Sequence, residues 1–239
     1  MPPAARLSRF WVLSGHNLPL TCVLLSLLPV LLSVPLLSAE EPTPPSHPRL
    51  SKGLFLVASP NLLDPNFRHT VVLICEHNDR DGTLGVILNR PTGVLVSEAL
   101  PDVPVLKATS YVLFWGGPVQ QDTVLMLFRL GQTPPGMREV LPGIYLGGSP
   151  DALEQVITKP NPTETFRAFA GYAGWAPGQL EFEMAMGSWA IVSADSASIF
   201  DKDPTSLWMD LLDKLRAPSP IRFDPSPVPR DADPAPSHA

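Results

Sequence analysis

Apolar positions along this chain fall into short runs rather than long helical stripes. Residues 53–59 (GLFLVAS) form one run, closed by Pro60. Residues 69–76 carry the β-branched stretch TVVLIC, and residues 83–89 (TLGVILN) match it in length. Runs of this size, bounded by Gly, Pro and Asp, predict strands. The segment between the second and third runs is polar and ends in Asp81-Gly82, a strong turn pair, which predicts a β-hairpin turning over residues 77–82. Further strands are predicted at 111–115, 123–130, 143–146, 166–172 and 189–193.

Helical patterning is scarce. Leu207, Trp208, Leu211, Leu212 and Leu215 make an i, i+4 stripe behind Asp203-Pro204, a cap followed by a first-turn proline. Ser149-Pro150 opens a second helix through Thr158. Residues 180–186 (LEFEMAM) alternate like a strand, but Pro177-Gly178 ahead of them favours a helix start. With so few helices to cross between parallel strands, the class is α+β, dominated by antiparallel sheet.

Both ends differ from this body. Arg6 and Arg9, then an apolar run from Leu18 to Ala39, then Glu40-Glu41 follow the order of a signal peptide, so residues 1–39 predict export to the periplasm. The run approaches bilayer-spanning length, so an uncleaved anchor is the second reading. No methionine lies between Met1 and Met126, so a misassigned start, and a cytoplasmic protein, is the third. Residues 40–50 (EEPTPPSHPRL) read as a proline-rich linker, because each proline disfavours helix at itself and at the residue before it. Residues 217–239 lack apolar periodicity and are proline-rich, which predicts a disordered tail. One domain, residues 51–216, lies between.

Charge narrows the partners. The formal net charge is −6 and no run of Lys or Arg interrupts it, so nucleic-acid binding is disfavoured. Any membrane contact would come through the N-terminal segment. Of the two cysteines, Cys22 falls in the leader and Cys75 stands alone in the body, which leaves no internal disulfide framework.

The densest cluster of reactive groups is Cys75-Glu76-His77-Asn78-Asp79-Arg80-Asp81-Gly82. Placed on the hairpin, Glu76 should face Thr83, and Thr70 should lie near Asn89. A rise of about 3.3 Å per residue then puts Glu76 and His77 roughly 20 Å from Asn89 and Arg90. Cys75 and His77, at i and i+2, should share a face, but at about 6–7 Å apart they are too distant for a nucleophile pair. A buried, inert thiol is the expectation. A calcium loop would need its first and twelfth ligands at His77 and Leu88, which fails. His69 and His77, with one cysteine, give no zinc spacing, so neither a metal nor another cofactor is expected. Nucleophile-elbow, P-loop, dinucleotide and zincin motifs are absent from the sequence.

At the other end of the ribbon, Asp64, Asn66, His69, Asn89 and Arg90 should converge. They could cap turns and pair charges, or form a pocket for a small polar ligand with Arg90 as its charge. Gly116-Gly117 after a strand could present backbone N–H groups to that ligand, or simply turn the chain. A ligand or protein partner bound without catalysis is the leading functional expectation. The alternative is a hydrolase using Glu76 and His77 with Asp64 or Arg90.

Five blocks carry a resemblance. ASPNLLDPNF (58–67), TVVLICEHN (70–78), GTLGVILNRP (82–91), WGGPV (115–119) and GYAGWAPGQLEFE (171–183) resemble, in order, the YqgE/AlgH family of bacterial proteins. The resemblance covers nearly the whole body. It implies an α+β domain whose antiparallel sheet bends strongly into a pseudo-barrel with a few flanking helices. Its name comes partly from a proposed regulator of alginate production, and no activity or DNA-binding motif accompanies it. Members typically lack a leader, so residues 1–50 and the proline tail depart from the pattern. The family's characteristic residues fall here on Asp64, Asn66, Glu76, His77, Asn89, Arg90, Gly116, Gly117, Tyr172, Trp175, Gln179 and Glu183, among others. Tyr172 and Trp175, set among glycines, imply an aromatic-lined groove or a packed bend.

Overall fold

The structure, a computed structural model, describes residues 49–148, 150–158 and 164–217. The predicted leader and nearly all of both proline-rich segments lie outside the described residues. The β-branched runs become strands β1 (Leu54–Ala58), β2 (Val71–Asn78) and β3 (Gly82–Ile87). They are followed by β4 (Pro91–Leu95), β5 (Val112–Trp115), β6 (Val119–Arg129), β7 (Arg138–Leu141), β8 (Ile144–Gly147), β9 (Thr165–Trp175) and β10 (Trp189–Ser193). Helices α1 (Val96–Ala99), α2 (Pro150–Thr158), α3 (Gln179–Ala185), α4 (Ser196–Phe200) and α5 (Leu207–Arg216) are short.

The sheet runs β10-β1-β2-β3-β9-β6-β8-β7, with β5 also pairing with β9 and carrying β4 at its side. Described pairings are antiparallel except β5 with β9. Strand β9 belongs to both halves: Ala173–Trp175 pair with β3, while Ala168–Ala170 pair with β5 and β6. Gly171 sits at the change-over with φ +68°, and a Cβ there would come within 2.6 Å of the Gly117 carbonyl oxygen. Only glycine accepts both that backbone and that approach.

Alternation along the strands explains the bend. On one face, Phe55, Leu73 and Val86 from the first half meet Leu125, Leu127 and Phe169 from the second, together with Leu207 and Leu211 of α5. This inner cluster fills the concave side. Val72, Ile74, Ile87 and Trp175 form the outer face of the first half, under Leu180 of α3. Met126, Phe128 and Ala168 form the outer face of the second half, under Leu153 and Val156 of α2. Each fully buried Leu or Phe contributes about 1.5–3 kcal/mol, so three such layers hold the fold without a disulfide. The sheet does not close. Side chains bridge its seam instead: Arg138 Nη2 lies 2.6 Å from Glu76 Oε1, and Lys52 Nζ donates to the Glu139 carbonyl at 2.6 Å. This is an α+β domain built on a strongly bent antiparallel sheet.

Some expectations need correction. Strands β4 and β7 and helices α1 and α4 are too short to carry a period in the sequence. Strands β6 and β9 are longer than predicted. Asp203 does not cap α5 directly. It accepts from Thr205 N at 2.9 Å and shapes the turn before the helix, whose N-cap is Ser206. In the hairpin, Glu76 faces Leu84, and His77 faces Thr83, because the register slips at Cys75. This β-bulge places an extra residue in β2 and breaks strict alternation.

Candidate functional site

The bulge decides the chemistry of the hairpin. Cys75 belongs to the inner cluster, and Glu76 follows it inward, opposite Leu84, which packs on that cluster. His77 therefore emerges on the outer face. The expectation that Cys75 and His77 share a side is overturned. Burial pushes the Cys75 thiol well above its ordinary range, and the neighbouring Glu76 adds to the shift. That suits an inert core thiol. Glu76 is held by Arg138 across the seam, while His77 Nδ1 lies 2.8 Å from Thr83 Oγ1 and its Nε2 is 4.0 Å from Glu181 Oε1.

At the far end of the ribbon the structure brings Asp64, Asn66, His69, Asn89 and Arg90 together through local bonds. Asp64 Oδ1 accepts from Asn66 N at 2.7 Å, and its carbonyl accepts from Phe67 N and Arg68 N at 3.0 and 2.8 Å. Asn89 ties the loop to the sheet: its Oδ1 accepts from Val71 N and its Nδ2 donates to the His69 carbonyl, both at 2.9 Å. His69 takes φ +57° and rests its ring 4.4 Å from that of Trp208. Arg90 Nη2 donates to the carbonyls of Pro65 and Arg68, each at 3.2 Å, and its guanidinium lies over Trp115 at 5.0 Å. Burial lowers the Arg90 pKa, Arg68 lowers it further, and Asp64 opposes both. In this arrangement the edge clamps the loop of residues 60–69 onto the sheet.

Gly116 and Gly117 stand where the chain leaving β5 crosses β9. Gly116 N donates to the Ala170 carbonyl at 2.8 Å, and a Cβ on either glycine would collide with the backbone of Gly171 or Tyr172. Trp175 is 4% exposed, its ring stacked on Phe67 at 5.7 Å. Its Nε1 donates to Glu183 Oε2 at 3.0 Å, and the Trp189 Nε1 donates to the same oxygen at 2.9 Å. Gln179, one turn earlier on α3, donates to Glu183 Oε1 at 3.0 Å. The Gln179-to-Glu183 spacing thus serves to fasten two buried indoles.

Two concavities adjoin the hairpin turn, on opposite faces of the sheet. The first, of about 410 Å³, opens at the mouth of the concave side and is lined by Glu76, Asn78, Asp81, Leu84, Val119 and Tyr172, and it reaches Gly174 and Trp175. Burial raises the Tyr172 pKa, so it stays a neutral phenol. Asp81 Oδ2 accepts from Asn78 Nδ2 at 3.0 Å. The second, of about 730 Å³, lies on the outer face beneath α3, with Leu50, His77, Met184, Trp189 and Ile191 on its walls. Asn78, Asp81 and Val119 carry no sequence signal for the first, because only the meeting of β3 with β9 and of β6 with β9 makes them neighbours. Tyr172 reaches it and Arg90 does not line it. Among the described residues no group of three or more His, Cys, Asp or Glu side chains could hold a metal ion.

This geometry has relatives. Residues 55–219 match the AlgH-like family of uncharacterised domains. The chain belongs to that family. An AlgH-like relative, a UPF0301 protein of Chlorobaculum tepidum, is 42% identical over 160 residues, covering 66% of this chain and 83% of its own. A UPF0301 protein of Mycobacterium avium is 38% identical over 190 residues, covering 76% of this chain and 90% of its own. The solution structure of the AlgH protein from Pseudomonas aeruginosa matches with a TM-score of 0.59 at 31% identity, over 74% of this chain and 94% of that one. The AlgH-like match takes in the hairpin, the glycine crossing and the segment from Tyr172 to Glu183. No helix among the described residues is long and apolar enough to cross a membrane.

Proposed function

We propose that this AlgH-like domain is a non-catalytic binding module that takes a small polar ligand at the mouth of its bent sheet. The observation that carries this reading is the 410 Å³ groove, whose lining combines Glu76, Asp81 and Tyr172 with the apolar side chains of Leu84, Val119 and Trp175. Its size is within the usual range for small-molecule sites, roughly 300–1,000 Å³. Carboxylates and a neutral phenol favour donor-rich cations, so the ligand class is an ammonium or guanidinium compound. The guest would share Glu76 with Arg138. The Asp64, Asn89 and Arg90 edge, the other polar pocket legible in the sequence, spends its hydrogen bonds on its own loop. The hydrolase alternative asks Glu76 and His77 to act on one bound molecule, and the two side chains leave the strand on opposite faces. That weighs for binding over catalysis.

Amide NMR spectra of the full chain, titrated with agmatine and spermidine and with citrate as an anionic control, test this. The amine-induced shifts should centre on residues 76–84 and 172–175 and vanish in a Glu76→Gln, Asp81→Asn double variant. Shifts centred on residues 64–69 and 89–90 with citrate would restore the Arg90 edge as the site.

A further inference from the structure

The 730 Å³ groove on the outer face is separate from that mouth, and His77 lies in it rather than at the mouth. Its lining is mainly apolar, from Leu50, Met184, Ala185, Trp189 and Ile191. Its volume, too, falls within the range of small-molecule sites. Trp189 is 6% exposed and its Nε1 already donates to Glu183 Oε2, so toward a guest it offers only its apolar ring.

One polar group in this lining is unspent. The His77 side chain is 10% exposed. Its Nδ1 is taken by Thr83 Oγ1 at 2.8 Å, and Thr83 is itself buried, which fixes the ring. Among the described residues no hydrogen bond reaches the other nitrogen: Glu181 Oε1 stands 4.0 Å from Nε2, beyond bonding range. A nearly buried polar nitrogen without a partner is costly, and a guest that supplies the bond recovers that cost.

The groups around Nε2 define what fits. An imidazole nitrogen and a carboxylate oxygen 4.0 Å apart suit one atom hydrogen-bonded to both. A hydroxyl does this by donating to Glu181 and accepting from Nε2–H. Where Nδ1 carries the proton and gives it to Thr83, the hydroxyl donates to Nε2 instead, so it serves either tautomer. A carboxylate guest would meet Glu181 and Asp79 against Arg49 alone, and an ammonium has no lone pair for Nε2–H. The rest of the guest would lie on Met184, Ile191 and the Trp189 ring, where an aromatic body gains thioether and ring contacts.

We propose that this groove binds a small hydroxylated aromatic molecule of the phenol class, with its ring on Trp189 and Met184 and its hydroxyl between His77 Nε2 and Glu181.

Methyl NMR of the full chain, isotope-labelled at its methionine methyls, tests this with para-propylphenol and its methyl ether, para-propylanisole. The phenol should shift the Met184 methyl saturably and leave that of Met126, buried in the other half, in place. The ether, which cannot donate, should bind about tenfold more weakly. His77→Phe should weaken the phenol by a similar factor without changing the ether. Should that variant lose its Met126 signal, the two ligands on the unaltered protein decide the question. No saturable Met184 shift up to the solubility limit of the phenol would overturn the proposal. Equal affinities for phenol and ether would make the groove a nonspecific apolar surface and overturn it too. A Met184 shift that grows with protein concentration in the absence of ligand would assign the groove to a second copy, which also refutes it.

Discussion

Glu183 carries a measurable share of the stability of the outer face. Its Oε2 accepts from the indoles of Trp175 and Trp189 at 3.0 and 2.9 Å, and those rings are 4% and 6% exposed. Glu183→Ala strands two buried donors. A hydrogen bond to a charged group contributes about 1.5–3 kcal/mol, and Glu183 is half-buried, so water can recover part of the loss; the expected cost is about 3–4 kcal/mol. For a domain of this size that lowers Tm by roughly 6–15 °C. Glu183→Gln keeps an acceptor without the charge and should cost about 1–2 kcal/mol. Glu181→Ala, exposed on the same helix, serves as the control and should stay within about 0.5 kcal/mol. Urea unfolding followed by tryptophan emission reads all three, since the affected rings are the probe. A Glu183→Ala protein melting within about 2 °C of wild type, with unchanged emission, would refute the fastening role.

Other expectations follow from the same bonds. Arg90→Ala should free the loop of residues 60–69, raising its amide exchange and costing about 1–2 kcal/mol, while amine binding at the sheet mouth is retained. Gly171→Ala should cost about 3 kcal/mol or more, and its thermal melt should fall accordingly, because φ +68° and the Gly117 carbonyl both exclude a side chain. Asp195 caps α4: burial pushes its pKa up, but bonds from Ser198 N and Oγ at 2.7 and 2.8 Å, with Lys202 and Lys214 nearby, outweigh that and hold it low. Its contribution is therefore complete above the unfolded carboxyl value of about 3.9 and disappears as pH falls through the lower folded value. Asp195→Ala should cost about 1 kcal/mol at pH 7 and flatten the acid limb of a stability-against-pH curve.

The strands were legible where apolar runs were long and bounded, as in residues 53–59, 69–76 and 83–89. They were illegible in β4 and β7, whose few residues pair only because long-range neighbours present an edge. The bend of the sheet came from the family resemblance, since no local period encodes curvature. The convergence of Asp64, His69, Asn89 and Arg90 could be read from the hairpin alone, but their use on loop carbonyls could not, because donors and acceptors are matched only in three dimensions. The widest departure from the sequence pattern is local. One residue of slippage at Cys75 exchanges the faces of Glu76 and His77, turning Glu76 inward and His77 outward, and nothing in CEHN announces it. Tyr172 and Trp175, set among glycines, suit either a groove or a packed bend; both line the groove, and the Trp175 ring is also buried in the outer cluster.

The pairing of β1 with β10 has a consequence for synthesis. Phe55 lies opposite Val192, so the first described strand must wait for the last one before its outer edge is satisfied. The middle of the sheet has the same dependence on β9, whose residues join β3, β5 and β6. A ribosome-bound chain that stops short of residue 165 holds hairpins but no shared strand, and every half-built sheet shows an unpaired rim. The domain should therefore mature late and all at once, with its period of greatest exposure to proteases and to sticky neighbours just before β9 emerges.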